Sequence, residues 1–99
     1  MIVEHLDTLA DAIVRDPERC GGKPSLAGTR TGVHDVVCYA RHYGGDLERV
    51  RDEALPHLTL AQIRIAMDWY RDHEQEIDEI LQRRKERYER GLAAANAAR

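Results

Sequence analysis

Leu58-Thr59-Leu60-Ala61-Gln62-Ile63 is the stretch from which the fold can be read. Thr59 and Gln62 hold the two positions of a capping box. The threonine hydroxyl accepts from the backbone N–H of Gln62, and the Gln62 amide reaches back to the backbone N–H of Thr59. Leu58 and Ile63 stand at the two hydrophobic staple positions around that cap. Beyond it Leu60, Ile63, Ala66/Met67 and Tyr70 recur every three or four residues, and Trp69 widens the stripe. A helix is therefore predicted to begin at Thr59. Propensity stays high past His73, and Ile77, Ile80/Leu81 and Tyr88 continue a weaker stripe. Either the helix bends within residues 71–74 or a new helix starts there. The tail, residues 91–99, is expected to fray.

Working back toward the N-terminus, Val33, Val36, Val37, Ala40 and Tyr43 form another helical stripe, closed by Gly44-Gly45. Asp46 caps a short helix that carries Leu47, Val50 and Ala54/Leu55 inward and stops at Pro56. Three helices joined by two short turns suit a helix-turn-helix unit, although bundles that never touch DNA share the pattern. Residues 17–32 are rich in glycine and proline and read as a loop or hairpin. Within them Ser25–Thr31 suits a short strand. Its partner would be residues 12–16, of the same chain or of a second copy. Residues 1–16 are ambiguous. Val3, Leu6, Leu9/Ala10 and Ile13 follow a helical period, while Ala12–Val14 reads as a strand before Asp16-Pro17. The expected organisation is one domain over residues 1–90, with a hairpin or loop motif at 12–33 and a helical bundle at 34–80.

Composition narrows the functional classes. The chain has 99 residues, 42% of them hydrophobic, and a formal net charge of -3, which suits one folded domain. That charge does not favour indiscriminate nucleic-acid binding, but a local basic face acts within an acidic chain. No apolar run is long enough to span a membrane. The opening MIVEHLDTLADAIV carries acids where an export signal carries bases. Cys20 and Cys38 are accordingly expected as reduced thiols, and the protein is expected in the cytoplasm.

Several constellations have two readings each. His34, Cys38 and His42 share a helix stripe at a spacing that metal ligands use, yet three ligands along two turns of one helix cannot easily converge. Alternatively Cys38 packs in the core with the histidines at its edge. Gly21-Gly22-Lys23-Pro24 lacks the spacing of a phosphate-binding Walker loop. A backbone nest with Lys23 and Arg30 would hold an anion; a structural turn is the other reading. Asp68, Asp72, Glu76 and Glu79 fall on one helix face, as acid–base groups or as a solvated surface. Arg83, Arg84, Lys85, Arg87 and Arg90 form a basic run, suited to phosphates or an acidic partner, or to i, i+4 pairs such as Glu79–Arg83. No catalytic triad order or metal motif is present, so enzymatic activity is the least favoured class, and no cofactor is expected.

Asp16-Pro17-Glu18-Arg19-Cys20-Gly21-Gly22-Lys23-Pro24-Ser25-Leu26-Ala27-Gly28-Thr29-Arg30, with Val33 beyond, resembles the pattern DPxxxxGKPxxxGTRxxV of the domain of unknown function 433 family. Pro56-His57-Leu58-Thr59 with Ile63, and Ala66 to Tyr70, resemble that family's second motif. His73 and Glu76-Ile77-Asp78 are also family-like. The position after Val33, usually a small capping residue, is His34 in this chain. The resemblance implies a short β element followed by a homeodomain-like or winged helix-turn-helix three-helix bundle. It also implies a homodimeric, VapB-type antitoxin role beside a PIN-domain ribonuclease toxin, with operator DNA as a further ligand. On that expectation the helix from Thr59 is the recognition helix. Ala61, Gln62, Arg64 and Asp68 would face outward. Gln62 would read adenine and Arg64 guanine, with Lys23, Arg30 and Arg41 on phosphates. Gln62 is equally expected to do no more than complete the cap. Gly22, Lys23, Pro24, Gly28, Thr29, Arg30 and Thr59 would form the structural motif. The alternative is an interaction module that binds protein and no DNA.

Overall fold

A computed structural model describes residues 12–18 and 20–97. They form a mostly helical fold with a small two-stranded β element at its N-terminal side. Strand β1 (Ile13–Arg15) pairs antiparallel with β2 (Pro24–Leu26), placing Ile13 opposite Leu26 and Arg15 opposite Pro24. The strand partner is thus within the chain. The helical period over Val3–Ala10 lies outside the described residues.

The segment between the strands turns left-handed. Cys20, Gly21 and Gly22 have φ of 54°, 61° and 82°, a region that costs a side-chain-bearing residue such as Cys20 and that glycine enters freely. After β2, a tight turn is closed by Thr29 N–H on Leu26 O (3.0 Å), with Gly28 at φ 77°. The Thr29 hydroxyl donates to the same carbonyl (2.8 Å) and accepts from Thr31 N–H (3.1 Å). The chain then returns to bridge Gly32 to Ser25.

Helix α1 (Val33–His42) follows immediately. His34 does not cap it, because the helix already starts at Val33. Gly32 is the N-cap residue, and Asp35 takes the Gly32 N–H (2.9 Å). Gly32 has ordinary extended angles, so glycine is needed there for space: a Cβ would run into the His34 ring. Val33, Val36, Val37 and Ala40 are buried. Gly44 and Gly45 end α1 at positive φ, and Gly45 N–H reaches back to Ala40 O (2.7 Å). Asp46 then caps α2 (Leu47–Arg49), its carboxylate accepting from Arg49 N–H (3.2 Å). The coil widens into a π turn over Val50–Ala54, where Leu55 N–H donates to Val50 O five residues back.

Helix α3 (Leu60–Asp72) begins as the sequence predicts. Gln62 N–H donates to the Thr59 hydroxyl (3.1 Å), and Thr59 N–H donates to Gln62 Oε1 (2.8 Å). Of the two outcomes open at residues 71–74, a new helix is the one formed: His73 leaves helical geometry at φ -137° and α4 (Glu74–Ala97) follows. The break is stitched. The His73 ring stacks flat on Trp69 (3.6 Å, 6°) and bonds Trp69 O through Nδ1 (2.9 Å). The Arg15 guanidinium lies over the same indole and grips Glu76 with both nitrogens, Nη2 to Oε1 at 2.8 Å. Asp68, Asp72, Glu76 and Glu79 therefore share no face; the break divides them between two helices.

The core joins Leu26, the α1 stripe, Val50, Leu58, Ile63, Ala66, Trp69, Ile77 and Ile80. On α4, burial stops there: Leu81 is half-buried and residues 82–97 are exposed throughout. The helix continues to Ala97, past Gly91 where the sequence suggests fraying. At 1.5 Å per residue α4 is ~36 Å long, and its outer half stands clear of the body. The radius of gyration of 15.1 Å accordingly exceeds the ~13 Å of a compact chain this size.

Two substitutions probe this frame. Ile63 is fully buried in the core, so Ile63→Ala leaves a cavity there and is expected to lower the unfolding free energy by about 2–5 kcal/mol. Thr59→Ala is expected to cost about 1 kcal/mol by uncapping α3. Urea titration followed by circular dichroism checks both.

Candidate functional site

The residues expected to contact DNA differ in how far other side chains engage them. Gln62 is engaged by the Thr59 cap and borders a cavity with Ala12, Leu26, Ala27 and Ile65. Ala61 and Arg64 are exposed near the start of α3, and Arg64 makes no ion pair with the described residues. Asp68 is exposed and held by Arg71 (2.9 Å). Arg41 is not a free phosphate ligand. Its Nη2 donates to Asp78 (2.7 Å) and to Tyr70 OH (2.7 Å), and Tyr70 OH donates to Asp78 (2.8 Å). The guanidinium bond, and then the Tyr70 hydroxyl, holds the Asp78 carboxyl below the usual carboxylate range. Lys23 borders a second cavity with Arg15, Glu76, Glu79 and Arg83, while Arg30 is exposed at the β turn.

The glycine-lysine-proline loop is built as a structural turn. Gly22 N–H donates to Asp16 O (3.1 Å) and Lys23 N–H to Cys20 O (3.1 Å). An anion nest needs those amides pointing outward. The Cys20 thiol donates to Arg30 O (3.1 Å), which ties the two halves of the motif. Thr31 continues the chain of bonds to His57, Oγ1 to Nε2 at 2.7 Å. That contact joins the turn region to the Pro56-His57-Leu58-Thr59 segment across the sequence.

The His34/Cys38/His42 stripe resolves differently from either reading. Cys38 is exposed, not in the core, and His42 is exposed; the buried member is His34. Among the described residues no three His, Cys, Asp or Glu side chains are grouped to hold a metal ion. His34 Nδ1 has no hydrogen-bond partner among the described residues. Burial pushes the His34 pKa below its ordinary value; nearby Asp35 opposes that, and Arg84 and Lys23 reinforce it.

What the sequence did not reveal is a groove between α1 and α4. Cys38, Arg41, Leu81, Arg84, Lys85 and Tyr88 line an open cavity of about 380 Å³. Arg84 crosses from α4 to Asp35 on α1 (2.9 Å) and anchors its wall. Tyr88 and Leu92 lie further along the same α4 stripe as Leu81 and are 67% and 47% exposed, too much for core residues. The expected Glu79–Arg83 pair is present at 3.4 Å. Lys85, Arg87 and Arg90 make no ion pair with the described residues, so the outer half of α4 remains basic.

The motifs, now placed in the fold, coincide with a family model, Protein of unknown function (DUF433), that matches residues 13–70. This chain belongs to the DUF433 family. The matched region runs from β1 to Tyr70 on α3, so the DUF433 segment includes the turn motif, the Thr31–His57 link and the Thr59 cap. Helix α4 and its half of the groove lie beyond it. Neither curated proteins nor solved structures give a match. No helix among the described residues is long and apolar enough to cross a membrane.

The buried His34 carries a pH signature. The unfolded chain takes up a proton near the ordinary histidine value of ~6.5, whereas the fold resists protonation of His34. Stability is therefore expected to fall as pH drops below that value. His34→Leu should flatten this dependence, read from urea midpoints across the acid range; an unchanged slope would assign it to other groups.

Proposed function

We propose that this protein acts by binding another protein through the outer half of α4, as the antitoxin member of a type II toxin–antitoxin pair would. The observation that carries the reading is the projection of residues 82–97 beyond the core, with Tyr88 and Leu92 exposed on the basic outer half of α4. A helix of this composition gains little by standing in water. Exposed aromatic and aliphatic residues on one stripe are the usual anchors by which an amphipathic helix docks. The setting proposed with it is that of a cytoplasmic, homodimeric antitoxin beside a PIN-domain ribonuclease.

The test is co-expression with the product of the adjacent reading frame, followed by size-exclusion chromatography with light scattering. A stoichiometric complex is expected, lost in the Tyr88→Ala/Leu92→Ala double variant while circular dichroism stays unchanged. Separate elution of the two wild-type proteins would sink the proposal.

Operator binding is a second reading, favoured by Arg64. It is exposed, makes no ion pair with the described residues and sits one turn into a helix that follows a short helix and turn. A homeodomain-like or winged helix-turn-helix would present such a residue to the major groove. Arg64→Ala is then expected to weaken a promoter mobility shift by roughly tenfold, or 1–3 kcal/mol. Absence of any shift at low salt would remove this reading.

A further inference from the structure

We propose that the groove between α1 and α4 is the seat of an acidic amphipathic helix from a partner protein. The inference rests on the interaction reading above and names the chemistry of the partner. The groove has an apolar floor, formed by Cys38, Leu81 and Tyr88, and a basic rim of Arg41, Arg84 and Lys85. Its volume, about 380 Å³, admits a few large apolar side chains, and Leu92 is exposed one turn beyond Tyr88 on α4. Apolar residues at i, i+3 or i+4 and i+7 of an incoming helix match such a trough.

The charge pattern chooses among occupants. Between residues 83 and 90 there are five cations and two anions. Seating the same 83–90 segment of a second copy on the groove would set cations against cations, and like charges across an interface are unfavourable. A nucleic-acid backbone needs successive phosphate contacts, yet Arg41 and Arg84 already hold Asp78 and Asp35 (2.7 and 2.9 Å). That leaves Lys85 as the rim cation without an ion pair among the described residues, above an apolar floor. One or two partner carboxylates beside apolar anchors fit that arrangement.

The probe is a synthetic Leu/Glu amphipathic helical peptide added to the full chain. Binding is followed by fluorescence anisotropy and by iodoacetamide alkylation of Cys38, with Cys20 in the same molecule as the reference thiol. The peptide should slow alkylation of Cys38 and leave Cys20 unaffected. Lys85→Glu and Tyr88→Ala, both at exposed positions, should each weaken binding by roughly tenfold. An unchanged Cys38 rate, or equal affinity for a Leu/Lys peptide of the same pattern, overturns the proposal. So does a self-dimer in light scattering that Tyr88→Ala dissociates, since the occupant is then a second copy. If the neighbouring gene product binds but the peptide fails to protect Cys38, the groove assignment fails and the interaction reading stands. If neither binds, both fall.

Discussion

Helix α1 is the surface on which the rest of the molecule is assembled. Val33, Val36, Val37 and Ala40 are all nearly or fully removed from water, and β2, the π turn, α3 and α4 all contact that helix. Full burial of a valine contributes about 1.5–3 kcal/mol, so one face of a ten-residue helix accounts for a large part of the driving force. A helix of that length is marginal alone in water. Its start at Gly32, its stop at Gly44-Gly45 and the packing of its neighbours therefore depend on one another.

The polar residues of the two motifs serve this assembly. Thr29 closes the turn after β2, Thr31 reaches His57, and Thr59 and Gln62 start α3. These bonds set the β element against the helical body and leave the same groups less available to a ligand. Arg15 and Arg41 follow the same logic: each bridges to α4, through Glu76 and Asp78, just past the break in helical geometry at His73. Among the described residues, Arg64 on α3 and Lys85, Arg87 and Arg90 on the outer half of α4 are exposed and make no ion pair. The family match ends at residue 70, before α4, whose Ile77 and Ile80 complete the core while its outer half projects from it.

Local rules made much of the helical frame legible in the sequence. The Thr59 cap, the glycine stop after α1 and the Asp46 cap each depend on residues within a few positions of one another. The period of Val33, Val36, Val37 and Ala40 likewise marks the buried face. Cys38 was harder, because it shares a stripe with His34; which edge of that stripe meets β2 and which meets solvent depends on where α4 crosses. Asp68 and Glu76 fall on one face only if a single helix runs through residues 71–74, and no glycine or proline near His73 marks the break that separates them.

By itself the sequence determined where the helices under α1 and α3 begin, which of their faces is apolar, and the family to which residues 13–70 belong. These follow from contacts between near neighbours in the chain and from motif order. Only the tertiary structure decided that Arg15 meets Glu76, that Arg41 meets Asp78, that Asp35 holds Arg84 and that a groove opens between α1 and α4. Those partners are 61, 37 and 49 positions apart. A side chain's spacing along its own helix says nothing about which distant helix crosses it, so the groove exists only once α4 is laid across α1.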